Sequence, residues 1–265
     1  MPDYICMGVP YYLGEALAKR REVAALRNSG IAGELDAEWI DIAPDFAAHG
    51  DPVVAVNWAL AEAIQAHAPK TPVIFANDCT SCLGVVKGLE AHSPAILWYD
   101  SHGDFNTPET TPSGFLGGMP LAALVGRGNQ HLMRGLQLAP IAESDIVISD
   151  VRNLDPQEGQ MLRESQVAIY ETLTELDAAP LPDKPLYIHF DTDVVDCAEM
   201  PAMSYPEPGG PTLDESIESL RIALAKSRVA AVLFSLWNST LPGADETMAA
   251  TLRLVRALKQ ATDSR

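Results

Sequence analysis

Two segments of the sequence alternate ionisable side chains at the end of an apolar run. The first, Asp100-Ser-His102-Gly-Asp104, follows Ala95–Tyr99; the second, Asp191-Thr-Asp193, follows Leu186–Phe190. While a chain stays extended, side chains two apart point to the same side. Asp100, His102 and Asp104 can therefore converge on one point, and Asp191 and Asp193 on another. Carboxylates with an imidazole suit manganese, zinc or iron as ligands. Acids held together at the mouth of a hydrophobic strand are costly unless a positive charge neutralises them, and a pair of metal ions is the simplest neutraliser. Taken alone, the first segment reads equally as a solvated turn with His102 satisfied by a neighbouring Asp. Asp196 fits a turn better than a ligand position. His189, inside its strand, reads as a packed, hydrogen-bonded core residue.

The elements that must position these groups alternate along the chain. Strands are expected at Tyr4–Val9, Glu38–Ile42, Pro72–Ala76, Ala95–Tyr99, Asp145–Ser149, Val167–Glu171, Leu186–Phe190 and Ala230–Leu236. Several are continuously apolar and rich in Val and Ile, the pattern of strands covered on both faces of a parallel sheet. Amphipathic helices are expected at Glu15–Asn28, Val56–Ala66, Leu83–Ala91, Pro156–Glu164, Asp214–Ala225 and Asp245–Gln260, with Asp214 as an N-cap. The alternation predicts a doubly wound α/β sandwich. Ligands bind such sheets at the carboxyl ends of their strands, which is where both acidic segments fall. With no linker or repeat, residues 1–265 read as one domain. The longest irregular stretch, Asn106–Pro120, has the length of a functional loop.

The formal charge of −18 argues against nucleic acid and anionic membrane surfaces as partners. No apolar run approaches a membrane span, and the first residues lack the basic and apolar regions of a secretory signal. Cys6, Cys79, Cys82 and Cys197, in a chain of 265 residues without such a signal, suggest a reducing cytoplasm and no disulfide framework.

Together the two acidic segments resemble the arginase–agmatinase (ureohydrolase) family. The family's Asp-x-His-x-Asp-x-Asn pattern is met by Asp100–Asn106, and its Thr-Pro-x-Thr-x-x-Ser-Gly stretch by Thr107–Gly114. Gly118–Leu124, Phe190-Asp-Thr-Asp-Val194, Pro201-Ala202 and Pro208-Gly-Gly210 also look like family sequence, so the matches span roughly residues 72–245 in order. The resemblance implies one α/β domain, a three-layer sandwich around a parallel sheet of about eight strands. It implies a hydrolase with two divalent ions, manganese first, in which a metal-bridging hydroxide attacks a guanidinium carbon. Asp100 and Asp191 would bridge the ions, Asp104 would complete one shell, and His102 and Asp193 the other, with Asp104 and Asp193 counted as catalytic. Family members commonly form trimers or hexamers, which opens a homo-oligomer here.

Three positions depart from the family pattern. Cys79, in Ala76-Asn-Asp-Cys79, stands where the first metal-ligating His belongs. A thiolate adds a negative charge, weakens Lewis acidity and shifts preference toward zinc or iron. A subgroup that cleaves N-hydroxyarginine carries Cys at this position. Gly117 replaces a His of the loop before Gly-x-Pro, and Trp237 is matched to the guanidinium-binding Glu. Trp237 either stacks on substrate through cation–π attraction or packs in the core. Cys79 and Cys82 also form a Cys-x-x-Cys pair, open to a redox reading; a structural zinc site lacks two further ligands.

Positions that hold the amino-acid end of arginine are matched by Asn106, Thr111, Ser113, Asp155 and Glu158, although Asp155 before Pro156 also reads as a helix N-cap. The expectation is a C–N hydrolase of a small, amino-acid-like guanidine or hydroxyguanidine, with N-hydroxy-L-arginine leading. An inactive arginase-fold protein that binds an amino acid or a partner is the rival.

Overall fold

The computed structural model describes residues 3–262. Eight parallel strands form one sheet: β1 (Tyr4–Val9), β2 (Glu38–Asp41), β3 (Thr71–Ala76), β4 (Ala95–Tyr99), β5 (Ile146–Ser149), β6 (Ala168–Tyr170), β7 (Leu186–Asp191) and β8 (Val229–Ser235). Their order across the sheet is β2-β1-β3-β8-β7-β4-β5-β6, with every pairing parallel. The eight expected strands are thus all present, within one or two residues at each end. For the six inner strands legibility follows from burial on both faces, which requires apolar residues at consecutive positions instead of every second one; the edge strands β2 and β6 are only partly buried.

Ten helices cover the two faces: α1 (Glu22–Asn28), α2 (Ile31–Glu34), α3 (Pro52–Ala66), α4 (Cys82–Gly88), α5 (Pro120–Leu124), α6 (His131–Gly135), α7 (Pro156–Arg163), α8 (Leu173–Ala178), α9 (Leu213–Lys226) and α10 (Ala244–Thr262). One buried cluster joins α1, α8, α9 and α10 to residues such as Phe75, Leu97, Ile188 and Phe234. The other joins α3 to α7 with Ile74, Trp98, Tyr187 and Leu233. The result is the expected three-layer α/β sandwich. No helix among the described residues is long and apolar enough to cross a membrane.

Two local expectations are corrected, and the long irregular stretch is present as expected. The helix expected from Glu15 begins at Glu22: residues 15–21 are irregular and mostly exposed, and Arg20 pairs with the buried Glu22. Asp214 is not an N-cap. Thr212 takes that place: its hydroxyl accepts from the Glu215 amide at 3.2 Å while Glu215 accepts from the Thr212 amide at 2.8 Å. This reciprocal pair, worth about 1 kcal/mol, starts the helix two residues earlier than a cap at Asp214 would. The stretch 106–120 is irregular apart from a single 3-10 turn at Leu116–Gly118, and Pro120 opens α5.

Candidate metal centre and substrate cleft

Four strands adjacent in the sheet, β3, β8, β7 and β4, deliver the chemistry at their carboxyl ends. Cys79 follows β3 in a 3-10 turn capped by Asp78, whose carboxylate accepts from the Thr80 amide at 2.9 Å and the Leu13 amide at 2.8 Å. Asp100, His102 and Asp104 follow β4. Asp191 ends β7, and Asp193 sits in the turn after it. Ser235 ends β8, paired in register with Asp191. The order of the sheet therefore brings together groups that are more than 150 positions apart in sequence.

The ligand atoms converge as two overlapping groups. One comprises Cys79, Asp100, His189 and Asp191, with their potential donor atoms all within 4.8 Å of one another; the other comprises Asp100, His102 and Asp193. Cys79 Sγ donates to Asp191 Oδ2 at 3.0 Å and lies 3.4 Å from Ser235 Oγ. His102 Nδ1 is 3.2 Å from Asp193 Oδ2 and 3.4 Å from Asp100 Oδ1. Asp104 takes a left-handed backbone conformation, φ 48°, costly for a non-glycine residue. It is held there by its carbonyl, which accepts from the Leu121 and Ala122 amides at 3.0 and 3.3 Å. Its buried carboxylate oxygen Oδ2 has no hydrogen-bond partner among the described residues.

Electrostatics show what this packing lacks. Burial, reinforced by the neighbouring carboxylates, pushes Asp104 and Asp191 well above the ordinary carboxylate range. Asp100 rises to about 6 through burial and Asp193. Burial drives the Cys79 thiol up, and Asp191, Asp104 and Asp100 drive it further. His102 is opposed by burial but raised to about 12 by hydrogen bonds and charge from Asp100 and Asp193. In turn, hydrogen bonds from His102 and Ser101 outweigh burial at Asp193 and hold it below its ordinary value. One imidazolium cannot neutralise four crowded acids and a thiol. Oxygen, nitrogen and sulfur donors with an orphaned carboxylate oxygen fit divalent metal.

Above the centre lies a cleft of about 370 Å³ whose lining includes Cys79, His102, Asp104, Asp191, Asp193, Asn106, Thr111, Ser113, Asp155 and Glu158. Every sequence-nominated residue except Asp100 and Trp237 therefore faces it. Asp100 lies buried beneath the others. Asn106 Nδ2 donates to Asp155 Oδ2 at 2.9 Å, and Thr110 Oγ1 donates to Asn106 Oδ1 at 3.0 Å. Glu158 accepts from the Phe105 and Asp155 amides at 2.9 and 3.2 Å, tying the loop after β4 to the start of α7. Asp155 thus both caps α7 and faces the cleft.

The sequence matches the model of the arginase family over residues 20–258. The chain belongs to the arginase family. It is 28% identical to the arginase of Bacillus caldovelox over 291 aligned residues, covering 95% of this chain and 96% of that protein. It is 29% identical to the N(omega)-hydroxy-L-arginine amidinohydrolase of Streptomyces lavendulae over 210 residues, covering 77% and 74%. The crystal structure of the Bacillus subtilis arginase superimposes with a TM-score of 0.85 at 27% identity, over 97% of this chain and 98% of that one. Arginase-family proteins are hydrolases acting on amidino groups and use a binuclear divalent metal centre, usually manganese.

Seen as an arginase-family site, the cleft is altered at one end. Trp237 does not face it: it is 2% exposed and packed in the core, and its carbonyl accepts from Arg20 Nη2 at 2.8 Å. The residues from the end of β8 that line the cleft are Ser235 and Leu236, and neither has a carboxylate. Arg20 lines the same end, a position expected inside the helix Glu15–Asn28. At Gly117 an added Cβ would lie 2.4 Å from the Phe115 ring, so Phe115 occupies the space of a larger side chain. Phe115 packs on Tyr205 at 5.3 Å and stacks on Tyr12 at 6.5 Å, forming an aromatic wall that no sequence motif marked. His189 is fully buried and stacked on Trp98 with ring centroids 3.5 Å apart.

Proposed function

We propose that the protein hydrolyses a C–N bond of an α-amino acid bearing an N-hydroxyguanidine or a comparably weakly basic amidine, N-hydroxy-L-arginine being the leading substrate. The observation that carries this reading is the mixed character of the cleft. Its amino-acid end keeps Asn106, Thr111, Ser113, Asp155 and Glu158, whereas the end beneath β3 and β8 offers Cys79, Ser235, Leu236 and Arg20. The relative from Streptomyces lavendulae, named for that substrate, supports it.

Each group has a role derived from its surroundings. Asp155 presents a carboxylate to an α-ammonium, and Asn106, Thr111 and Ser113 present donors to an α-carboxylate. The Thr111 and Ser113 hydroxyls lie 3.3 Å apart and accept from the Gly114 and Phe115 amides, so the loop that carries them is preformed. The end of β8 offers Ser235 and Leu236 to the cleft, and so no carboxylate for the paired hydrogen bonds that a guanidinium cation favours. Arg20 adds positive charge there, shared with Glu22. A neutral hydroxyguanidine meets neither penalty. Cys79, Asp100, His102, Asp104, Asp191 and Asp193 would hold two divalent ions, manganese first, with zinc or iron favoured on the side of the thiolate. When bound, the ions supply a hydrolytic nucleophile at neutral pH and polarise the substrate. Asp104 and Asp193, which line the cleft beside those ions, are placed to accept or return a proton at the leaving nitrogen.

The test is a product assay on protein reconstituted with manganese, zinc or iron. Hydroxyurea and ornithine from N-hydroxyarginine, at a kcat/KM at least about tenfold above urea release from arginine, are expected. A preference for arginine would overturn the substrate assignment. The absence of a carboxylate at the end of β8 also favours a second reading, an inactive binding protein. That reading predicts no turnover of either compound, with amino-acid binding retained in calorimetry. A cytoplasmic location and a homo-oligomer complete the proposal; size-exclusion chromatography with light scattering tests the latter.

A further inference from the structure

We propose that His189 is a ligand of the metal centre, joining Cys79, Asp100 and Asp191 around one ion. The inference rests on the two-metal reading given above and adds a donor that neither the family pattern nor the sequence reading assigns.

His189 lies in the middle of β7, two residues before Asp191 and on the same face of the strand. Its neighbours across the sheet are Trp98 on β4 and Leu233 on β8. The Trp98 ring fixes its plane: the two rings are 3.5 Å apart and inclined by 3°. The hydroxyl of Tyr187 fixes its rotation, 2.9 Å from Nδ1. Trp98 in turn donates its indole N–H to Asp100 Oδ2 at 3.1 Å, so one indole orients both the imidazole and a carboxylate of the centre.

The second nitrogen, Nε2, has no hydrogen-bond partner among the described residues, although the side chain is 0% exposed. A buried imidazole of this kind ordinarily satisfies both nitrogens, since a lone unpaired one forfeits its hydration. If Nδ1–H donates to the Tyr187 hydroxyl, Nε2 carries a free lone pair. A metal-ligating histidine is typically held in this way, with its other nitrogen bonded to a neighbour that sets the tautomer. The donor atoms of His189, Cys79, Asp100 and Asp191 all fall within 4.8 Å of one another. Metal–nitrogen and metal–sulfur bonds of about 2.0–2.3 Å put opposite ligands about 4.4 Å apart, so a shared ion needs only slight contraction.

The consequence is a chemical asymmetry between the two ions. Cys79 replaces a neutral donor by a charged one. A neutral imidazole added beside it supplies electron density without a further negative charge. The half of the centre under β3 and β7 then has a nitrogen–sulfur pair suited to zinc, iron(II) or cobalt(II), while the His102–Asp193 half stays oxygen-rich and suited to manganese.

The test uses the full-length chain loaded with zinc, read by metal analysis and by X-ray absorption at the zinc edge. Wild-type protein is expected to bind two ions whose spectrum carries two imidazoles, His102 and His189, and one sulfur. His189→Phe keeps an aromatic ring against Trp98 but has no donor. It is expected to halve the imidazole signal and weaken one of the two ions by tenfold or more, with the second retained. His189→Asn gives the same loss with a polar side chain and decides the matter if the Phe variant does not fold. Wild-type zinc bound with one imidazole per pair of ions would overturn the inference, as would both variants keeping two ions at wild-type affinity. Either result leaves the two-metal reading intact. Wild-type protein that takes up no metal overturns both.

Discussion

The two ends of the cleft have been treated differently. At the amino-acid end, the side chains are tied together by hydrogen bonds: Thr110 to Asn106, Asn106 to Asp155, and Glu158 to the amides of Phe105 and Asp155. At the other end, the cleft is lined by Cys79, Leu236 and Arg20, with no such network of loop hydrogen bonds between them among the described residues. On the proposed reading, recognition of the amino acid and activation of its side chain are separable in this fold. The first depends on the loop after β4 and the start of α7, the second on the ends of β3 and β8. A change of reacting group needs only the second set to change.

The largest expected effect comes from removing what both ends depend on. Asp191→Asn deletes an anion from the shared base of the centre and is expected to abolish binding of both ions, with activity falling by a factor on the order of a thousand or more. Two ions retained in metal analysis would show that Asp191 is not a bridge. Next, Leu236→Glu should restore a carboxylate at the end of β8 and move the ratio of kcat/KM for arginine over N-hydroxyarginine upward by about tenfold to a hundredfold. An unchanged ratio would break the argument that this end selects the reacting group.

Asp155→Ala tests the other end. Loss of a charged partner worth roughly 1.5–3 kcal/mol should raise KM for amino-acid substrates by about tenfold to a hundredfold while metal content stays constant. A fall in metal content instead would mean that the two ends are not separable. Cys79→Ser should then lower metal content on one side only, and Cys79→His should raise manganese affinity. Unchanged occupancy of both sides in Cys79→Ser would remove Cys79 from the ligand set.

The smallest effect concerns stability without metal. Asp100, lifted from 3.8 to about 6, binds a proton in the folded protein that the unfolded chain has released, and Asp104 and Asp191 do so more strongly. Metal-free stability therefore falls as pH rises through that interval. His102 acts in the same direction: its contribution is complete below 6.5 and is lost as pH rises toward about 12. Asp193, held low, opposes the trend by contributing above its ordinary value. The melting temperature of metal-free protein should drop by a few degrees between about pH 5 and about pH 8, and added metal should reverse the drop. A metal-free protein that grows more stable over this range would contradict the picture of uncompensated acids.

The strands and the two acidic segments were legible along the chain, and the cleft-lining residues of the loop after β4 and the start of α7 through the family resemblance. A buried parallel strand is a local feature, apolar along its length, but residues two apart at a strand end did not all share one point: Asp191 and Asp193 fall in different donor groups, and Asp104, turned by its left-handed backbone, in neither. Short helices such as α2, α5 and α6, four or five residues each, were illegible because they span barely one turn and show no periodicity. Three further matters depend on packing in three dimensions. At the end of β8 a one-residue step sends a side chain to the opposite side, so Leu236 faces the cleft and Trp237 the core. Arg20 reaches the reacting end because buried Glu22 and the Trp237 carbonyl hold it there, partners that no local pattern reveals. His189, a core residue by its surroundings in sequence, stands beside Cys79 and Asp100 only because β7 lies next to β4 and β8. Side-chain direction and long-range partners are set by register and packing, which is why they could not be read along the chain.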